Sequence, residues 1–390
     1  MKIWAGLRLV PVMKMSGRRI ALIFPALLAV GCGNQQIAHP TTDNIPKASE
    51  ITFTVTDEPT SDRALAAVVD KLKAAHIEHS VISTDADKPV PFGVVDAVLP
   101  SSDGYVVLDA ERLRLSSFSA DGHPRFSLRL GNRKTAGRPR ALAWLSAKRL
   151  VVGGDKILRV FDTNETPYKE MPSQPHEGNI EGLCLLGNQL FTRAPNTANA
   201  IAVLGVGNAG DLRQAGISFR ARYRSSHDEI ATKLSHGQVA CIQGANIVVD
   251  GFNVLSPYIT AFSAAGERLW TSAIQDYQLP RIVESTVRGR TTIMDEHQEG
   301  AYDQLASLAS LGPDHVLAQF VRFTPGETLP TLRTFVFDAK SGRGAFVGDR
   351  LSLIRSASSS HLFTVDTETF KKLTVMSWDE VSRIRPRSAR

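Results

Sequence analysis

The chain has 390 residues, of which 43% are hydrophobic, and its formal net charge is +6 with a pI near 9.3. The charge is concentrated at the start, because residues 1–31 hold five basic residues and no acidic ones, which leaves only +1 for the remaining sequence. A nearly neutral body gives no electrostatic reason to expect nucleic-acid binding. The ~360 residues after position 31 also exceed the ~250–300 that one hydrophobic core organises, so we expect a repeated architecture.

The first segment has the layout of an export signal. Arg18 and Arg19 precede an apolar run over residues 20–30, and the run is followed by Gly31 and Cys32. A basic region before an apolar stretch of this length is typical of a cleaved signal, and the stretch is too short to span a bilayer. The pattern predicts that the rest of the chain lies outside the cytoplasm.

The end of this run carries a lipidation motif. Residues Ala29-Val30-Gly31-Cys32 resemble the lipobox of bacterial lipoproteins, although Ala29 stands where that family usually has leucine. The resemblance implies a signal peptide over 1–31, lipidation of Cys32 and attachment to a membrane of the cell envelope. In such lipoproteins an aspartate after the cysteine is associated with retention in the inner membrane. Because Gly33 stands there, the resemblance also implies that the protein is anchored in the outer membrane and faces the periplasm.

Two short regions precede the main body. Residues 32–50 are polar and without periodicity, which is typical of a tether. Residues 51–90 have a β-α-β pattern, with a strand over 51–55, a helix capped by Ser61 or Asp62 that runs to about His76, and a second strand near 80–83.

From residue 92 onward the sequence repeats a unit of short strands and tight turns. The first copy has four strands in about 40 residues, with turns at Asp103-Gly104 and Asp121-Gly122. Further copies begin near residues 141, 181, 238, 305 and 351. The last copy shows three clear strands, so we expect a strand from 51–90 to complete it, as happens in rings of sheets that close their open edge.

These copies resemble the six-bladed β-propellers of the NHL-repeat type. The segments Asp103-Gly104-Tyr105-Val106-Val107-Leu108-Asp109 and Phe118-Ser119-Ala120-Asp121-Gly122 carry the resemblance best. It implies an all-β, six-bladed propeller over residues 91–380, preceded by the small β-α-β element. Residues 261–270 also resemble the repeat ending of eight-bladed outer-membrane assembly lipoproteins, but the spacing of the copies favours six blades.

The last residues, 381–390, form a basic tail that we interpret as a solvated terminus. Its four basic residues are Arg383, Arg385, Arg387 and Arg390.

Polar side chains stand near the start of the first strand in several copies. In a propeller this position faces the entrance of the central channel, so the pattern predicts a polar ligand-binding mouth, with ordinary loop polarity as the alternative. The candidate ligand-binding residues are Asp96, Arg140, Glu181, Arg224, His227 and Asp228.

A long insertion over about 276–303 holds the densest group of acids and histidine. Oxygen-rich clusters of this kind can hold a divalent cation such as Ca²⁺, although a solvated loop is the simpler interpretation. The candidate metal ligands are Asp295, Glu296, His297 and Glu299.

Two further motifs have structural interpretations. Residues 205–210 match GxGxxG, but a strand pattern follows instead of the helix that a dinucleotide site needs, so we expect a hairpin turn. Cys184 and Cys241 share one position in adjacent copies. Because inner strands of neighbouring blades commonly hold their α-carbons beyond the ~7 Å bridging limit, we expect two buried thiols, with a disulfide as the alternative.

The sequence therefore predicts a monomeric envelope module that binds or scaffolds a protein, peptide or glycan and needs no cofactor. It would contact the membrane through its lipid and an envelope protein or glycan through its loops. The alternative is a metal-dependent hydrolase or lyase with one divalent cation at the central channel.

Overall fold

The computed structural model of the protein describes residues 36–37, 46–82, 91–131, 137–207, 210–225, 227–280, 282–287, 290–295 and 300–378. Most described residues lie in strands. Six of the sheets surround a central channel, and a seventh, of three strands, belongs to a connection between blades. The predicted six-bladed β-propeller is confirmed.

Blades 1 to 3 follow each other along the chain, and each runs outward from the channel. Blade 1 consists of Val95–Ser101, Gly104–Asp109, Arg114–Ser119 and Pro124–Arg129. Blade 2 consists of Ala141–Ser146, Arg149–Gly154 and Ile157–Asp162, edged by Lys169–Glu170 and Gln174–Pro175. Blade 3 consists of Gly182–Leu186, Gln189–Arg193, Asn199–Val206 and Leu212–Ala221.

Blades 4 to 6 complete the ring, and two of them take a strand from the N-terminal part of the chain. Blade 4 consists of Gly237–Ile242, Ile247–Phe252, Tyr258–Ser263 and Arg268–Ile274, joined by Phe53–Val55. Blade 5 consists of Tyr302–Leu311, His315–Phe323, Thr331–Asp338 and Gly344–Gly348. Blade 6 consists of Leu353–Ala357, His361–Val365, Leu373–Ser377 and His76–Val81.

Each space between neighbouring blades is filled by its own hydrophobic cluster. Between blades 6 and 1, the rings of Phe363 and Tyr105 pack with centroids 5.2 Å apart. Between blades 4 and 5, Trp270 Nε1 donates to the carbonyl of Ala339 at 2.8 Å. Because the sheets bury both faces in this way, each blade supplies core to two neighbours and the ring can exceed the size of a single core.

Residues 53–81, which we call the strap, tie three consecutive blades together from outside. Its first strand adds in parallel to the outer strand of blade 4, its helix packs on blade 5, and its second strand pairs antiparallel with Leu373–Ser377 of blade 6. The prediction that a strand of 51–90 completes the last blade is therefore confirmed. The closure protects what would otherwise be an open sheet edge.

The strap helix, α1, spans Arg63–Lys73 and follows from local sequence signals. The Asp62 carboxylate accepts hydrogen bonds from the backbone N–H groups of Ala64 and Leu65, as an N-cap does. Leu65, Val69 and Leu72 are buried against blade 5, at the spacing of one helical face. The helix ends three residues earlier than predicted, and the second strand begins at His76.

Two connections between blades carry extra elements. A short helix, α2 (Asp228–Leu234), precedes blade 4, and a hairpin of Ile282–Val287 and Arg290–Asp295 precedes blade 5. The hairpin contacts α2 and also pairs with Gln36–Ile37. Both connections lead into an inner strand, so they lie at the end of the ring where the inner strands begin. We call this end the mouth face.

A disulfide joins Cys184 and Cys241, which corrects the expectation of two unbridged thiols. The Sγ atoms are 2.04 Å apart and the α-carbons 5.5 Å apart. The inner strands of blades 3 and 4 converge here because Gly182 has no side chain; a β-carbon on it would lie 2.8 Å from Val239 Cγ1. That approach brings the α-carbons inside the range that a disulfide needs.

The GxGxxG segment joins two antiparallel strands of blade 3. Val206 pairs with Leu212 across it, as the sequence analysis predicted, and no helix opens at its third glycine. Within the described part of the chain, no helix is long and apolar enough to cross a membrane.

Candidate functional site

The inner strands of all six blades line a cavity of about 490 Å³ along the ring axis. Its charged residues all lie within three residues of the start of an inner strand, so they gather at the mouth. Below them the wall is made of small and apolar side chains, amides and hydroxyls. The charged residues of the mouth are Asp96, Arg138, Arg140, Glu181, His236 and Arg355.

Two of these residues are placed by irregularities in the strands. The pairing of blade 1 shifts register between Val95 and Ala97, and that of blade 6 shifts between Ile354 and Ser356. Asp96 and Arg355 are therefore the extra residues of β-bulges. A bulge leaves its extra residue out of the ladder and changes the direction of its side chain, here toward the channel.

Asp96 and Arg355 influence each other across the ring junction between blades 6 and 1. Burial raises the pKa of the Asp96 carboxyl, while the Arg355 guanidinium and the backbone N–H of Ala110, 2.9 Å from Asp96 Oδ2, act against this rise. Burial also lowers the pKa of Arg355, and the charge of Asp96 opposes that shift. The side chains of Asp96 and Arg355 are therefore two ionisable groups of the mouth that are partly removed from water.

A second set of charges lies on blades 2 to 4. Glu181 contacts the ring of His236 and lies 3.7 Å from Arg140 Nη1. Arg140 Nε is 3.7 Å from Asp155 Oδ1, which is too long for a hydrogen bond, and this Nε is buried without a hydrogen-bond partner. Arg140 is thus held loosely between two carboxylates.

The structure brings together only some of the predicted ligand-binding residues. Asp96, Arg140 and Glu181 line the channel, whereas Arg224, His227 and Asp228 are not among the described residues of its wall. Asp228 opens helix α2 and pairs with Arg222, and His227 stands at the N-cap position without a side-chain cap.

The predicted metal ligands cannot be assembled into a site from the described residues. Asp295 is the last residue of the hairpin, while Glu296, His297 and Glu299 lie outside the described ranges. In the part of the chain that the structure describes, no three His, Cys, Asp or Glu residues are close enough to hold a metal ion. The metal-dependent alternative stays a prediction.

Four further residues line the mouth that were not predicted from the sequence: Arg138, His236, Asn253 and Arg355. Asn253 lines the channel, and its Oδ1 is buried without a hydrogen-bond partner. Arg355 is the one charged residue in the strand Leu353–Ala357, which is a signal that sequence reasoning could have used. His236 precedes its inner strand as Glu181 and Arg140 precede theirs, so alignment of the strand starts would have found it.

A buried charge network supports the mouth face between blades 3 and 4. Asp250 accepts from Arg193 Nε at 2.7 Å and from Arg220 Nε at 2.9 Å, and both guanidinium groups stack on Phe252. Arg193 Nη1 also donates to the carbonyl of Ser235 at the C-terminal end of α2, at 2.7 Å. A cation at this end of a helix is favourable, so the network fixes α2 beside the channel.

Solved structures show the same fold at very low sequence identity. A member of the DUF4221 family from Bacteroides vulgatus is 8% identical over 78% of this chain and 97% of that chain, with a TM-score of 0.53. A protein from Bacteroides fragilis, designated as exported, is 8% identical over 83% of this chain and 98% of that chain, with a TM-score of 0.50. Identities this low establish the propeller fold alone.

BamB from Moraxella catarrhalis also matches, with 10% identity over 78% of this chain and 99% of that chain, but its TM-score is 0.40. A score of this size does not establish a shared function or blade number. No protein-family model and no curated protein matches the chain.

Proposed function

We propose that this protein is a lipid-anchored β-propeller of the cell envelope that binds a protein, peptide or glycan partner through its mouth face. The observation that carries the proposal is the set of polar atoms at the mouth that the protein leaves without hydrogen bonds. Arg140 Nε, Arg355 Nε and Asn253 Oδ1 come from three different blades and face one channel. Unsatisfied groups of this kind are costly in a folded protein and typical of places where a ligand completes the hydrogen bonding.

The ring is suited to binding because it is closed and held in one shape. The strap contacts blades 4, 5 and 6, and the disulfide joins blades 3 and 4 at the channel wall. A site on such a scaffold loses little conformational freedom when a partner binds. The titratable groups of the mouth are also engaged with one another, as Glu181 is with His236, which favours a binding role over proton transfer.

The envelope location rests on the export signal and the lipobox that ends at Cys32. Gln36–Ile37 pairs with the hairpin on the mouth face, only four residues after that cysteine. Four residues span at most about 14 Å. An acylated Cys32 would therefore keep the ring close to the membrane surface and present the mouth face to partners at that surface.

Photo-crosslinking in the native envelope tests the proposal. A benzophenone amino acid replaces Glu229, which is exposed on α2, and in a matched variant replaces Lys340, which is exposed at the opposite end of blade 5. We expect a discrete, identifiable adduct from position 229 that disappears when Arg140→Gln and Arg355→Gln are added. Binding at the mouth would be refuted if both positions gave the adduct in equal yield. It would also be refuted if the yield from position 229 were unchanged by the two substitutions.

A further inference from the structure

The channel has two chemically distinct zones. The mouth holds every charged residue of the wall, whereas the zone below it, which we call the shaft, is uncharged and is lined by apolar side chains, a few amides and hydroxyls, and the Cys184–Cys241 disulfide. The large apolar side chains of the shaft that are partly exposed belong to Leu99, Trp144 and Leu185. Behind them, the clusters between blades bury Val98, Leu142, Leu183, Val239 and Leu308.

From this division we infer that the channel binds an amphiphilic carboxylic acid, with its carboxylate between Arg355 and Arg140 and its apolar body in the shaft. The inference rests on the proposed binding function and names the chemistry of the ligand. The acid would be either a free small molecule or a chain end that carries a carboxylate next to an apolar group.

Arg355 is the main anchor for the carboxylate. Its Nε is buried and has no hydrogen-bond partner among the described residues. The ring of Phe370 lies 5.9 Å from its guanidinium carbon, and the charge of Asp96 acts on it. A guanidinium group presents a planar set of donors that matches a carboxylate in two parallel hydrogen bonds.

Arg140 adds a second guanidinium group that its own carboxylates do not saturate. Its contacts with Glu181 and Asp155 are both 3.7 Å, so neither is a hydrogen bond. Together with Arg138, the mouth carries three guanidinium groups and two carboxylates, Asp96 and Glu181. Asp155, beside Arg140 but outside the wall, is a third carboxylate, so an incoming anion is attracted by the guanidinium groups that face the channel and not by a net charge of the mouth.

The shaft would recognise the apolar part of the ligand. The side chains of Leu99, Trp144 and Leu185 are partly exposed in it, and the cavity volume of about 490 Å³ falls within the ~300–1,000 Å³ of small-molecule sites. Apolar surface in a narrow cavity favours a ligand that replaces water with hydrocarbon. A purely polar anion would use the mouth and leave the shaft unfilled.

Calorimetric titration of the full processed chain in nanodiscs, with empty nanodiscs as the blank, tests the inference. The probes are octanoate, its neutral match octanamide, the shorter hexanoate, and acetyl-dileucine as a model chain end. We expect octanoate to bind one per chain, about tenfold or more tighter than octanamide. Hexanoate should bind roughly 15-fold more weakly than octanoate, because two methylenes leave the shaft. Whichever of octanoate and acetyl-dileucine binds more tightly identifies the source of the carboxylate.

Substitutions then locate the binding. Arg355→Gln should weaken octanoate about tenfold or more, Arg355→Lys should weaken it less, and Arg213→Gln should change nothing. Arg213 is a suitable control because its side chain is 81% exposed on the outer strand of blade 3. The inference is overturned if neither acid binds, if octanamide binds as tightly as octanoate, or if folded Arg355→Gln protein binds octanoate normally. In any of these cases, a crosslinked adduct from position 229 in the native envelope would still support the proposed binding of a partner at the mouth face.

Discussion

Removal of the disulfide between blades 3 and 4 should lower the stability of the ring by a predictable amount. The bond joins residues 57 positions apart in the sequence, and both belong to inner strands. In the chain-entropy description, a cross-link over a loop of this length stabilises the folded state by about 4 kcal/mol. Replacing Cys184 and Cys241 with alanine should therefore reduce the free energy of unfolding by about that much.

The native contacts around the bond should survive this change. The two blades remain joined by their own hydrophobic cluster, in which Phe191 and Phe219 pack against Val248 and Phe262. We expect the double variant to fold with an unchanged circular dichroism spectrum and to unfold at a lower urea concentration. The wild-type protein unfolded in the presence of a reductant is the matched control, because it also lacks the cross-link but keeps both sulfur atoms.

Either of two results would exclude this contribution of the disulfide to stability. One is an unfolding free energy of the double variant within ~1 kcal/mol of the oxidised wild type, since the effect of the closed loop would then be absent. The other is the titration of two free thiols in wild-type protein isolated from the envelope under alkylating conditions.

Three further predictions concern the strap and the blades. Arg333→Gln should lower the unfolding free energy in urea by about 2 kcal/mol, because this buried guanidinium pairs with Asp57 of the strap and lies 3.6 Å from the fully buried Asp303. Leu72→Ala, on the face of α1 that packs on blade 5, should cost about 3 kcal/mol in the same measurement, whereas Lys71→Ala on the exposed face should cost less than ~0.5 kcal/mol. Burial lowers the pKa of His176 from its ordinary 6.5, so the unfolded chain binds more protons and stability should fall as the pH drops below about 6.5; His176→Gln should flatten that part of a urea-stability profile against pH.

The repeat pattern predicted the propeller because every blade obeys local rules. Tight turns such as Asp121-Gly122, where Gly122 has φ of +85°, separate short strands that bury apolar residues such as Leu115 and Phe118 between blades. The role of the strap was also predictable, since the last repeat has three strands and the segment before the first repeat has a spare one. Its helix was visible because Asp62 caps it and Leu65, Val69 and Leu72 recur at helical spacing.

The mouth was only partly predictable because it depends on features that leave a weak trace in sequence. The bulges that turn Asp96 and Arg355 toward the channel come from register shifts between strands, not from a motif. Helix α2 has only seven residues, which is too short to give a periodic signal. The disulfide depended on how closely two inner strands approach at Gly182, and that distance is a property of the assembled ring.

If a partner in the cell envelope occupies the mouth face, hydroxyl-radical footprinting of intact cells should detect the protection of its side chains. His236 lies at the mouth and His315 at the opposite end of blade 5, and both side chains are partly exposed. We predict that His236 is oxidised more slowly in cells than in the purified protein, while His315 is oxidised at the same rate in both. Equal rates for His236 in the two preparations would contradict the account.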